Sequence, residues 1–172
     1  GLYDPAFEHE ACGTGFVANI KGVASHDIVE QALTILDNLA HRGACGCEAN
    51  TGDGAGILVQ MPHRFLAREC SALGFFLPGP RYYGVGMLFL PADESLRADF
   101  ERRFEAICAA EGQRVLGWRT VPTDGSMIGE TARSAMPVVR QVFIERNATI
   151  KDRMSFERKL YVIRKRAEQA IR

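Results

Sequence analysis

A chain of 172 residues can bury the core of one domain, and nothing in its composition requires two. A hydrophobic share of 47% and a charged share of 24% set aside a disordered or bilayer-embedded chain. Lys plus Arg and Asp plus Glu each total 21, so the net charge of zero gives no global field toward nucleic acid or an anionic membrane surface.

Residues 1–11 carry Asp4, Glu8 and Glu10 without Lys or Arg, and Pro5 interrupts any helix through their middle, so they read as a leader ahead of the core. They have neither the basic start nor the apolar run of a secretory signal, and no stretch approaches the roughly eighteen apolar residues of a membrane span. The expected compartment is the cytoplasm. Five cysteines, odd in number and unevenly spaced, are expected as free thiols in a reducing environment.

From Cys12 to Ile20, small and apolar residues with Gly13 and Gly15 predict a strand ending at Lys21-Gly22. A helix follows, capped by Ser25 or by Asp27 with Glu30 at capping-box spacing. Its apolar face is Ile28, Ala32, Ile35, Leu36 and Leu39, and it stops near Gly43. The stretch from Arg42 to Gly56, dense in Gly, Asn, Asp and Thr, is a loop. Ile57 to Met61 is a second strand, His63 to Cys70 a short helix after Pro62, and Tyr82 to Leu90 a third strand. Leu96, Phe100, Phe104 and Ile107 line a helix capped by Asp93 or Ser95 and closed by Gly112. Arg114 to Val121 and Val138 to Glu145 are strands joined by a Gly/Ser-containing connection. A basic amphipathic helix from Ser155 buries Phe156, Leu160, Ile163, Ala167 and Ile171. The alternation predicts an α+β layered domain.

Cys12 is the residue around which chemistry is expected. If the bond between Ala11 and Cys12 is cut, the thiol becomes a nucleophile beside its own α-amine, which titrates at about 7.7 to 8.0 and can move the thiol's proton. The competing reading is a small buried hydrophobe. Arg42, in His41-Arg42-Gly43-Ala44, could bind a substrate carboxylate in a bidentate way or be a solvated arginine at a helix end. His41 beside it could be a base, and is read first as packing against or capping that helix end.

Thr51-Gly52-Asp53-Gly54-Ala55-Gly56 lacks the Gly-Lys-Ser/Thr end of a P-loop and the spacing of a dinucleotide fingerprint, and Asp53 would repel phosphate. Its glycines are better suited to bringing backbone close to a small ligand, with Asp53 receiving an ammonium group or ordering the loop. Cys45-Gly46-Cys47 with His41 has no second ligand pair at zinc spacing, so no metal is expected. The basic C-terminal helix has interleaved acids and is read as a solvated surface, not as a nucleic-acid contact.

Taken together, Ala11-Cys12-Gly13, His41-Arg42-Gly43-Ala44, the Thr51 to Gly56 run, Val85-Gly86-Met87-Leu88-Phe89-Leu90 and Gly117-Trp118-Arg119-Thr120-Val121-Pro122 resemble the start of the large subunit of glutamate synthase. That start is a class II glutamine amidotransferase domain of the N-terminal-nucleophile hydrolase type. The resemblance implies a propeptide at 1–11 and, at 12–172, the N-terminal part of an αββα four-layer sandwich, incomplete in this chain. It implies a glutaminase that passes its ammonia on, with Cys12 the nucleophile and Arg42 the anchor for the glutamine α-carboxylate. Gly43, Gly52, Asp53 and Gly54 would form the substrate pocket.

The implied partners are L-glutamine, the rest of the synthase polypeptide, and a small subunit or ferredoxin, with no nucleic acid and no membrane. FMN and an iron-sulfur cluster are implied for the full-length family enzyme and none for this chain. The family's Asn-Gly oxyanion hole and the acids that hold the substrate α-amino group are expected downstream of Arg172, so activity would depend on residues beyond this chain. Two rivals are the amidotransferase domain of a phosphoribosyl-amidating enzyme and an unprocessed, non-catalytic scaffold.

Overall fold

The computed structural model describes residues 13–42, 48, 50–52 and 54–171, with the side chain of Arg42 excepted. Its contacts divide the chain into two compact units, Gly1–Met61 with Gly125–Ser134, and Pro62–Asp124 with Ala135–Arg172.

The second unit is built on a three-stranded antiparallel sheet in the order β1-β3-β2, with β1 at Tyr83–Leu90, β2 at Arg114–Thr120 and β3 at Val138–Glu145. The central strand β3 is apolar on both faces because both faces are covered. Val142 and Ile144 point to one side, where they pack with Phe104 and Cys108 of α3 (Glu94–Ala110) and Ile163 and Ala167 of α5 (Arg153–Ala170). Phe143, one residue out of phase, packs on the other side with Tyr83 and with Leu66 and Cys70 of α2 (His63–Ala72).

Register runs from Tyr83 opposite Glu145 to Leu90 opposite Val138. On the other edge Val115 faces Ile144 and Gly117 faces Phe143, so Leu116 is a bulge. The bulge puts Leu116 and Gly117 on the same face, so Val115 and Trp118 both meet the α3 and α5 core while Leu116 joins the other. Cap chemistry agrees with the sequence. The Asp93 side chain accepts from the Leu96 N–H at 2.7 Å, and the chain leaves α3 through Gly112 at φ 71°.

In the first unit α1 spans His26–Asn38, followed by a 3₁₀ turn at Ala40–Arg42. Ile28, Ala32, Ile35, Leu36 and Leu39 are half-buried on one face, as their period predicts. The expected capping box is not made: Ser25 is the N-cap, without a side-chain cap bond, and Asp27 lies in the first turn.

Two expected strands are corrected. Residues 13–19 and 57–61 join no ladder among the described residues, and Leu58 is fully exposed. Strand propensity supplies suitable side chains but not the partner whose N–H and C=O groups a ladder needs. The connection before β3 contains a helical turn the sequence did not announce, α4 at Glu130–Ser134. Leu96, expected on the buried face of α3, is 43% exposed, whereas Cys108 is fully buried there. Among the described residues the fold class is therefore mixed α and β, and the second unit is an antiparallel sheet with helices on each face.

Candidate active site

The sequence-predicted site residues all fall in the first unit. Cys12, Gly43 and Asp53 lie outside the described residues, as do Cys45 and Cys47. Arg42 ends the 3₁₀ turn that continues α1. His41 beside it engages the end of the helix: its Nδ1 donates to the Asn38 carbonyl at 2.9 Å, so it caps as read.

The segment that follows Cys12 meets α1 at Gly15. A Cβ placed on Gly15 would sit 2.6 Å from Cγ2 of Ile35, so only a glycine permits this approach. The helix that carries the chain to Arg42 thus also backs the segment that leads away from Cys12. Of the glycine-bearing run, Gly52 makes an isolated bridge and is exposed, and Gly54 has φ 88° with open space around it.

Sequence reasoning missed a cluster beside this run. The Glu48 carboxylate accepts the Thr131 N–H at 3.0 Å and the Thr51 hydroxyl at 3.1 Å. The Thr51 hydroxyl oxygen in turn accepts the Gly129 N–H at 3.3 Å, and the Asn50 side-chain amide donates to the Met127 carbonyl at 3.3 Å. The Thr131 N–H, first among these donors, holds the Glu48 carboxyl below its ordinary value of 4.5. The Arg133 guanidinium folds the same segment by donating to the carbonyls of Ser126 and Ile128. No local period or motif signals a contact between residues 83 positions apart, as Glu48 and Thr131 are.

The described residues do not suit the cofactors implied for the full-length family enzyme. Cys70 and Cys108 are fully buried in cores on opposite faces of the sheet, so they cannot share a cluster. A cavity of about 840 Å³ at the β2 edge includes Arg114, whose guanidinium pairs with Glu145 at 2.7 Å. Among the described residues no group of three or more His, Cys, Asp or Glu is placed to hold a metal. No described helix is long and apolar enough to cross a membrane.

The family model for class-II glutamine amidotransferases matches residues 12–172. The chain is 52% identical over 168 residues to the glutamate synthase [NADPH] large chain of Bacillus subtilis, covering 98% of this chain and 11% of that relative. It is 37% identical over 175 residues to the glutamate synthase [NADH] of Schizosaccharomyces pombe, covering 99% of this chain and 8% of the relative. To the chloroplastic ferredoxin-dependent glutamate synthase 2 of Arabidopsis thaliana it is 38% identical over 172 residues, covering 99% of this chain and 10% of the relative. The chain thus spans about a tenth of the length of these curated relatives. With a match that runs from Cys12 to Arg172, the chain belongs to the class-II glutamine amidotransferases.

Proposed function

We propose that this chain is part of the glutaminase region of a glutamate synthase, with Cys12 as its nucleophile. The observation that carries the reading is where the family match starts: it begins on Cys12 and leaves residues 1–11 outside, as expected for a leader removed to free the Cys12 α-amine. In the proposed reaction the amine takes the thiol proton and the thiolate attacks the glutamine amide carbon. The carbon–nitrogen bond breaks as the proton passes to leaving ammonia, and water then hydrolyses the thioester to glutamate and restores the thiol. Arg42 would hold the α-carboxylate as a two-donor fork, with Gly43, Gly52, Asp53 and Gly54 around the substrate.

The relatives' names support a synthase over the phosphoribosyl-amidating rival. The ammonia would pass to a synthase site elsewhere in the polypeptide, to form glutamate from 2-oxoglutarate. That distant region would also hold the FMN and cluster and meet a small subunit or ferredoxin. The four-layer sandwich is part of the same reading. Met87 and Phe89 of β1 follow Tyr83 and Val85 on one face yet are 51% and 69% exposed, an apolar surface suited to a second sheet. A reducing compartment such as the cytoplasm suits the free, buried Cys70 and Cys108.

The test is glutamine hydrolysis by Cys12→Ala in the longest natural polypeptide that carries this chain. Loss of hydrolysis with folding kept is expected, and retained hydrolysis would refute the assignment.

A further inference from the structure

Among its described residues the first unit has a constellation that the proposed chemistry does not use, the bonds of Glu48, Asn50 and Thr51 to the segment Met127–Thr131. We infer that the Glu48 carboxylate, the Thr51 hydroxyl and Gly129 form a latch that holds the glycine-bearing loop in its substrate-binding geometry. Glu48 and Thr51 are then positioning residues, not catalytic ones. The inference rests on the glutaminase reading.

Three observations carry it. The half-buried carboxylate takes one backbone N–H and one hydroxyl, and bonds to an ionised acceptor are stronger than neutral ones. Its backbone donor, Thr131, stands in the first turn of α4, where N–H groups have no partner within the helix, so the latch also completes that turn. Gly129 packs directly against the pair: a Cβ there would run into Oε2 of Glu48 and lie 2.8 Å from Oγ1 of Thr51, so a side chain at 129 would have to displace the carboxylate from its bonds.

The loop beyond the latch depends on it. Among the described residues nothing lies within 4 Å of a Cβ placed on Gly54 or Gly56, so no side chain described there buttresses these positions. A loop that walls the substrate away from the reacting atoms binds ground and transition state alike, so loosening it raises KM and leaves kcat little changed. The latch therefore sets how well glutamine is held, more than how fast a held glutamine reacts.

The experiment is steady-state glutamine hydrolysis by the longest natural polypeptide carrying this chain, with Glu48→Ala, Thr51→Val, Thr51→Ser and Cys12→Ala in parallel. Glu48→Ala and Thr51→Val are expected to raise KM for glutamine about tenfold or more while kcat changes less than about threefold. Thr51→Ser, which keeps the hydroxyl, is expected to bring KM back toward the parent. Thr51→Val is close to isosteric and decides the matter if Glu48→Ala does not fold.

A parental KM in Thr51→Val overturns the latch when Cys12→Ala is inactive. So does a loss confined to kcat that tracks a lowered melting temperature. Retained hydrolysis in Cys12→Ala overturns the glutaminase reading itself, and the latch with it.

Discussion

Arg140 of the central strand reaches over the sheet to Glu101 of α3, its Nε 2.7 Å from Oε1, with both side chains about four-fifths buried. Its guanidinium also donates to the Thr120 hydroxyl and lies 5.8 Å from the Trp118 ring. Such a pair adds little over an apolar one of the same shape, but loss of one partner strands the other. Glu101→Ala is therefore expected to destabilise the protein by about 2 kcal/mol in chemical denaturation, and the Glu101→Ala, Arg140→Met double variant by less than the sum of the singles.

The core on the α2 side is filled to the point where either a smaller or a larger side chain costs stability. Phe143 is fully buried, with ring centroids 5.6 Å from Phe75 and 6.4 Å from Tyr83. Phe143→Ala should cost about 3 to 5 kcal/mol through lost transfer energy and the cavity left behind. Gly117 stands opposite Phe143, and a Cβ on it would meet the Phe75 ring at 2.7 Å. Gly117→Ala should cost about 1 to 3 kcal/mol by overpacking, read from the same denaturation curves.

Two acids hold α5, Glu111 from a neighbouring element and Asp152 at its own N-cap. Lys159, first, and then Arg166 hydrogen-bond to Glu111 and hold its carboxyl below the ordinary 4.5. The hydrogen bond with the Ser155 side chain, first, and the Ser155 N–H next do the same for Asp152 below 3.8. A carboxyl whose pKa is depressed by folding contributes stability above its unfolded value and loses it as pH falls through the folded one. Stability should therefore be level above about pH 5 and decline in acid, and Glu111→Gln should flatten part of that decline.

The helical half of the molecule was legible in the sequence and the site was legible only in part. Phe156, Ile163 and Ala167 fall on the buried face of α5 as their period requires, and Asp93 caps α3, because both signals are local. The bulge at Leu116 and the bonding of Glu48 to Thr131 depend on what a residue meets across the fold, and no window of sequence contains that. The apolar runs 13–19 and 57–61 read as strands for the same reason, since composition marks a candidate strand without its partner. Arg42 and the glycines at 52 and 54 enter the proposed site from motif alone, whereas the tether beside the glycines has no motif.

The thiols should sort by burial. Burial pushes Cys70 up to about 11 and Cys108 up to about 12, so near pH 8 almost no thiolate forms at either. Iodoacetamide at about pH 8 should leave both unmodified in the native protein and alkylate both after denaturation, as peptide mass mapping would show. Rapid native modification of Cys108 would contradict its place in the core.

The most direct test of the central claim is the N-terminal residue of the active enzyme, read by intact mass and N-terminal sequencing on the preparation that hydrolyses glutamine. The account predicts a polypeptide that begins at Cys12, its α-amine free beside the thiol. A polypeptide that hydrolyses glutamine while residues 1–11 still precede Cys12 would contradict it, because the proposed base would then be locked in a peptide bond.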